Sequence, residues 1–110
     1  MKNKPEYILC SAIWYKDLPL KKEFESNVNP INVIKGIVFC GFRHCHVMLS
    51  MSSVTGLRSV KIEVGDFVQG FLTSKNRFVG REEALQIAID CGQVNKEDTN
   101  GQILFSEDLW

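Results

Sequence analysis

"FVQGFLTSKNRFVGREEALQIAIDCG" occupies positions 67–92, and its hydrophobic period changes halfway along. The first half holds two blocks rich in aromatic and β-branched residues, "FVQGFLT" and "RFV", separated by "SKN". Such blocks suit a pleated surface, and a short polar turn between them predicts a hairpin. The second half predicts a helix. Gly80 stands at its start, Glu82 and Glu83 lie in its first turn, and Gly92 follows its end. Acidic groups near a helix N-terminus and glycine past the C-terminus are what the dipole and the terminal carbonyls favour. Ala84, Leu85, Ala88 and Cys91 recur at helical spacing as the apolar face. A hairpin leading directly into a helix indicates an α+β protein.

Working outward, "SVKIEVGDFVQGFLTS" reads as strand material interrupted by "GD". Before it, Val47, Met48, Met51 and Val54 recur at three- and four-residue spacing, which predicts a helix from His44 with Gly56 as its stop. "INVIKGIVFCGF" is strand-like, with Gly36 and Gly41 as bulge or turn points, and "LKKEFESNVNP" is a surface loop or short helix ending before Pro30. Near the start, "YILCSAIWY" is a strand closed by "KDLP", because proline cannot extend a ladder. "QVNKEDTNGQ" is a loop and "ILFSEDLW" a short last segment. The expected architecture is one small domain over residues 1–110, with a mostly antiparallel sheet and about two helices.

Composition excludes several functions. A chain of 110 residues has little area to spare for a deep pocket of its own. Thirteen basic and thirteen acidic residues give no net charge, which argues against a general grip on long nucleic acid. A small anion held by a few arginines remains compatible with that balance. No apolar run approaches the roughly 20 residues of a membrane span. Cys10, Cys40, Cys45 and Cys91 show no CxxC pairing, and the opening residues lack an apolar signal core. The expectation is a cytoplasmic protein with reduced thiols, in which Cys10, Cys40 and Cys91 act as small buried hydrophobes.

The chemistry-bearing residues concentrate in "GFRHCHVMLSM", where Arg43, His44, Cys45 and His46 are consecutive. A metal site is disfavoured. On a helix starting at His44, Cys45 and His46 point about 100° and 200° away from it, so they cannot share one ion. The same divergence disfavours a Cys45 or Ser50 nucleophile beside a histidine base, and no GxSxG elbow is present. Catalysis by His44 and His46 on a phosphodiester is the enzymatic alternative. A phosphate grip fits better. Arg43 and His44 lie at one predicted helix N-terminus, and Arg77 and Arg81 flank the start of the other. The planar guanidinium fork suits phosphate. Phe71, Phe78 and Trp14 are the candidate aromatic surfaces for a base.

The strings "GFRHCHVMLSM", "QGFLTSKNRFVGREEALQIAIDCGQV" and "LFSEDLW" resemble small phage proteins of the anti-Thoeris family. The resemblance touches most of the chain outside residues 18–30 and 95–102. It departs in having Gly80 where a capping Asp or Asn is expected, and in the longer stretch before "FCGFRH".

The resemblance implies a sponge. Such proteins bind a cyclic ADP-ribose signal from a host TIR-domain enzyme, or related cyclic nucleotides, and hold it without cleavage. It implies a dimer or larger homo-oligomer with pockets near subunit contacts, in the cytoplasm of the infected host, and no metal or cofactor. The ligand-binding set expected is Arg43, His44, Phe71, Thr73, Ser74, Arg77, Phe78 and Arg81, with His46 incidental. A phage adaptor that binds a host protein through the aromatic strand and "SEDLW" is the non-enzymatic alternative.

Overall fold

The segment from Ile8 to Tyr15 is buried on both faces, and the rest of the chain is built around it. In the computed structural model, which describes residues 4–24 and 28–110, this segment is strand β1 (Ile8–Tyr15). Strands β2 (Ile37–Gly41), β3 (Phe67–Thr73) and β4 (Phe78–Gly80) complete an antiparallel sheet of order β2-β1-β3-β4. Ser11, Ile13 and Tyr15 face one side of β1, while Ala12 and Trp14 face the other. With both sides covered, β1 reads as a nearly continuous apolar run rather than an alternating one.

Helix α1 (His44–Thr55) and helix α3 (Arg81–Asp90) lie on the Ile13 side, and α2 (Lys61–Val64) is a single turn between them in sequence. Val47 and Met51 anchor α1 against Ile13 and Tyr15. Ala84, Leu85 and Ala88 anchor α3 against Ile8, Phe71 and Val79. Each large apolar side chain buried in this way contributes about 1.5–3 kcal/mol. Gly56 ends α1 in the left-handed conformation, at φ 76°, as its place in the sequence predicts. The α+β architecture, the hairpin and both long helices are therefore as expected.

Three local expectations give way. "SVKIEV" is not strand: Val64 is the buried residue, Ile62 is 91% exposed, and Glu63 accepts from both the main chain and the guanidinium of Arg58. In "INVIKGIVFCGF" only Ile37–Gly41 pairs. The preceding residues form a strap across the outer face of the sheet. Asn32 exchanges two hydrogen bonds with Phe78 on β4, at 2.7 and 2.8 Å, and Asn29 accepts from the Val38 N–H on β2. Val33 packs on Ala12 and Phe78 beneath the strap. β-branched content resembled a strand here, but side-chain amides satisfy both edges instead. Finally, Cys40 is exposed and Cys10 and Cys91 are half-buried, so none of the three is a core residue. In "LKKEFESNVNP", Lys22–Phe24 form a 3-10 turn, and residues 25–27 lie outside those described.

Candidate anion site at two helix starts

β2 and β4 run in opposite directions on the two edges of the sheet, yet both end at the same height. Gly41 is level with Ser11, and Gly80 is level with Gly70, which is itself level with Ala12. The helices that follow these strands therefore both begin over the middle of the sheet. Neither the α1 start at Arg43 nor the α3 start at Gly80 has a side-chain cap. The positive ends of two dipoles thus share one region, with first-turn N–H groups that no cap satisfies.

Gly70 makes this arrangement possible. A Cβ there would lie 2.1 Å from the Val79 carbonyl oxygen and 2.8 Å from the Phe78 ring, so only glycine lets β4 approach. The Gly70 carbonyl oxygen accepts a 2.8 Å hydrogen bond from His44 Nε2, which fixes the buried imidazole at the α1 start. His44 also meets the Phe71 ring edge-on at 5.2 Å. Burial pushes the His44 pKa below its usual value. The bond to Gly70 opposes this, and the nearby Arg81 charge adds to it. His44 is accordingly a neutral donor that positions the helix.

Arg81, the first residue of α3, donates from Nη2 to Gln69 Oε1 at 2.6 Å and lies 5.5 Å from the centre of the Phe105 ring. Its Nε is buried with no hydrogen-bond partner among the described residues. A buried donor left unpaired costs about 1–3 kcal/mol, which an acceptor arriving from outside would recover. Arg43 lies over Phe42 at 4.8 Å and donates to Ser106 Oγ at 3.4 Å and to the main-chain oxygen of Trp110. Phe42, in turn, contacts Trp110 and stacks on His46. The last segment thereby folds onto both arginines, and Phe42, Phe105 and Trp110 form a partly exposed aromatic rim.

The expected site residues thus fall into three places. Arg43, His44, Arg81 and Phe71 come together, although Phe71 is wholly buried beneath His44. Thr73, Ser74 and Arg77 sit at the hairpin end, where they fasten the segment before β1. Arg77 donates to Glu6 at 2.9 and 2.8 Å and to Glu83 at 3.1 Å. Thr73 donates to Glu6, and Ser74 accepts from the Tyr7 N–H. Phe78 lies on the opposite face of the sheet, edge-on to Trp14 at 6.0 Å. His46 points away from His44 toward Phe42, as helical geometry requires. Among the described residues no cluster of three His, Cys, Asp or Glu side chains is placed to hold a metal.

Sequence reasoning missed Gln69, Phe42, Phe105, Ser106 and Trp110. Gln69 did leave a signal, as the one amide among Phe67, Phe71 and Thr73 on the inward face of β3. The others reach the site across more than 60 residues of sequence or from a loop, and carry no local pattern.

Two of the cavities formed by the described residues lie elsewhere. One of about 280 Å³ is lined by Pro5, Glu6, Ile87, Asp90 and Cys91, and one of about 160 Å³ includes Asp98 and Asp108. Their carboxylates would repel phosphate.

Fold and site together define a small α+β protein whose two uncapped helix starts present arginines to a shared surface. Residues 7–110 match the model of the phage T4 y16D protein family, and the chain belongs to that family. It is a phage protein. No curated protein and no solved structure matches it. No helix of the described residues is long and apolar enough to cross a membrane.

Proposed function

We propose that this phage protein binds and sequesters, without cleaving it, a small cyclic nucleotide of the cyclic ADP-ribose type, and so blunts TIR-dependent host defence in the cytoplasm of the infected cell. The observation that carries the reading is the convergence of Arg43 and Arg81 at two uncapped helix starts, with the buried Arg81 Nε unpartnered. Two phosphates on one ligand would meet two guanidiniums and two sets of free N–H groups. The rim of Phe42, Phe105 and Trp110 offers the aromatic surface for the base. Membership of a phage family and the resemblance to anti-Thoeris proteins support the biological role.

Magnitudes make the reading demanding. A sponge that outcompetes a receptor needs nanomolar affinity, about 12 kcal/mol. Two charge-assisted arginine contacts at about 1.5–3 kcal/mol each, and one stacked base at about 1–3 kcal/mol, supply part of it. Ribose and backbone contacts in a closed pocket supply the rest, and a second copy of the chain provides the walls. Cleavage is not expected, because His44 is buried and spent on Gly70 while His46 points elsewhere.

Calorimetry with cyclic ADP-ribose isomers tests this. Arg43→Ala and Arg81→Ala should each weaken binding at least tenfold, about 1.4 kcal/mol. His44→Ala should weaken it less, and His46→Ala should leave it unchanged. Ligand released by heating should be intact. Absence of binding to every isomer removes the proposal, and recovery of a hydrolysed product turns it toward a phosphodiesterase.

A further inference from the structure

Residues 104–110 fold across both arginines of the anion site, and their contacts take up a group that a phosphate would need. Leu104 is fully buried, and its N–H donates to the Arg81 carbonyl at 3.0 Å. Leu109 packs against the same apolar cluster. The segment is thereby anchored as far as Leu109, and Trp110 lies beyond that anchor. Three contacts hold Trp110. Its N–H donates to the Ser106 carbonyl at 3.0 Å, its main-chain oxygen accepts from Arg43 Nη2, and its ring centre lies 5.8 Å from that of Phe42. The other arm of the Arg43 guanidinium, Nη1, reaches Ser106 Oγ at 3.4 Å. Both arms of the fork are thus engaged by this one segment, while Trp110 itself stays 37% exposed.

We propose that Trp110 is a gate on the anion site, latched by Arg43, and that a phosphate group opens it by taking the Arg43 fork. The proposal rests on the reading of Arg43 and Arg81 as the anion site, and it concerns how that site is regulated. In the free protein Arg43 divides its arms between two separate acceptors, and the hydroxyl of Ser106 stands near the outer limit of hydrogen bonding. A phosphate offers two oxygens on one charged group. These match the planar fork and give shorter, stronger bonds. Arg43 therefore changes partners when phosphate arrives. Trp110 then keeps only its bond to Ser106 and its contact with Phe42, and its ring is released to turn.

The two arginines play different parts. Arg81 Nη2 stays on Gln69, and its buried, unpartnered Nε receives an acceptor with no exchange. Arg43 has to give up existing contacts, so it is the switch. A gate of this kind lowers the apparent affinity for an anion by the fraction of molecules in which it stands open. Weakening the latch therefore tightens the binding of an anion that carries no base. A tryptophan that serves only as a wall for the base has no such effect, so the sign of the change separates the two roles.

Inorganic pyrophosphate is the probe, because it carries two phosphates and no base. Trp14→Phe, on the opposite face of the sheet, leaves Trp110 as the sole tryptophan, and its melting curve is compared with that of the wild type. Pyrophosphate should raise the acrylamide quenching of Trp110 fluorescence. Calorimetry, which does not depend on the Trp14 variant, should find pyrophosphate bound at least about threefold more tightly by Trp110→Ala than by the wild type. Unchanged quenching at saturation, or equal or weaker binding by Trp110→Ala, overturns the gate and leaves the anion site standing. No pyrophosphate binding by either protein overturns gate and site together. Pyrophosphate binding with both gate responses, but no binding of any cyclic ADP-ribose isomer, removes that ligand and keeps the gate.

Discussion

His44 ties the start of α1 to the sheet and is itself buried there. Its Nε2–H closes on the Gly70 carbonyl, and its ring seals the buried Phe71. Burial, aided by the Arg81 charge, lowers its pKa in the folded protein. The unfolded chain, with a histidine pKa of about 6.5, therefore binds the proton more readily. Stability is then full above that value and falls as pH drops from it toward the folded pKa. Thermal midpoints should decline between pH 7 and pH 5.5 in the wild type. The decline should be shallower in His44→Gln, which removes the titrating group. Equal slopes for the two proteins would show that His44 is not the group responsible.

At the scale of elements, the hairpin β3–β4 is held to the segment before β1 by a clamp of ions rather than by packing. Glu6 accepts from Arg77 Nε and Nη2 and from Thr73 Oγ1. The bond from Arg77 is the main reason its carboxyl titrates near 2. A depressed carboxylate pKa stabilises the fold above the unfolded value of about 4.5, and that stabilisation disappears as pH falls from there to about 2. Glu6→Gln should cost about 1–2 kcal/mol at neutral pH, since the pair is only partly buried. The difference between mutant and wild type should begin to shrink below about pH 4.5 and close only below about pH 2. A urea titration at three pH values reads both effects, and a gap that persists at about pH 1.5, below the folded pKa, would assign the cost to something other than the charge. Arg77 was a plausible phosphate ligand while its surroundings were unknown. With two carboxylates beside it, its charge is already balanced, whereas among the described residues Arg81 meets the Gln69 amide and the Phe105 ring.

The whole molecule measures 39 × 35 × 18 Å, a slab about one sheet and one helix layer thick. A body that thin does not enclose a nucleotide, and sites for such ligands usually bury most of their surface. The paired helix starts lie open on the slab, rimmed by half-exposed Phe42, Phe105 and Trp110. Binding of the proposed strength therefore calls for a second copy to close the site. Light scattering at micromolar concentration should give a dimer or larger species, at least with ligand bound. Monomer mass both with and without ligand would remove the shared-pocket reading.

Local chemistry alone determined the long helices, their glycine stops, the β3–β4 hairpin and the α+β class. In each case the signal lies within about a dozen residues: the acidic first turn of α3, apolar spacing at 3.6, a polar turn between strand blocks. It also put arginines at two helix starts. Which acceptors each arginine meets was decided only by tertiary structure, because Glu6 approaches Arg77 from 71 positions away while Ser106 and Trp110 fold back onto Arg43. The same holds for the strap over 28–36, whose β-branched residues mimic a strand until its asparagines find both sheet edges. Strand order did the rest: it ends β2 and β4 at one level of the sheet, and so brings together two helix starts that lie 37 residues apart in sequence.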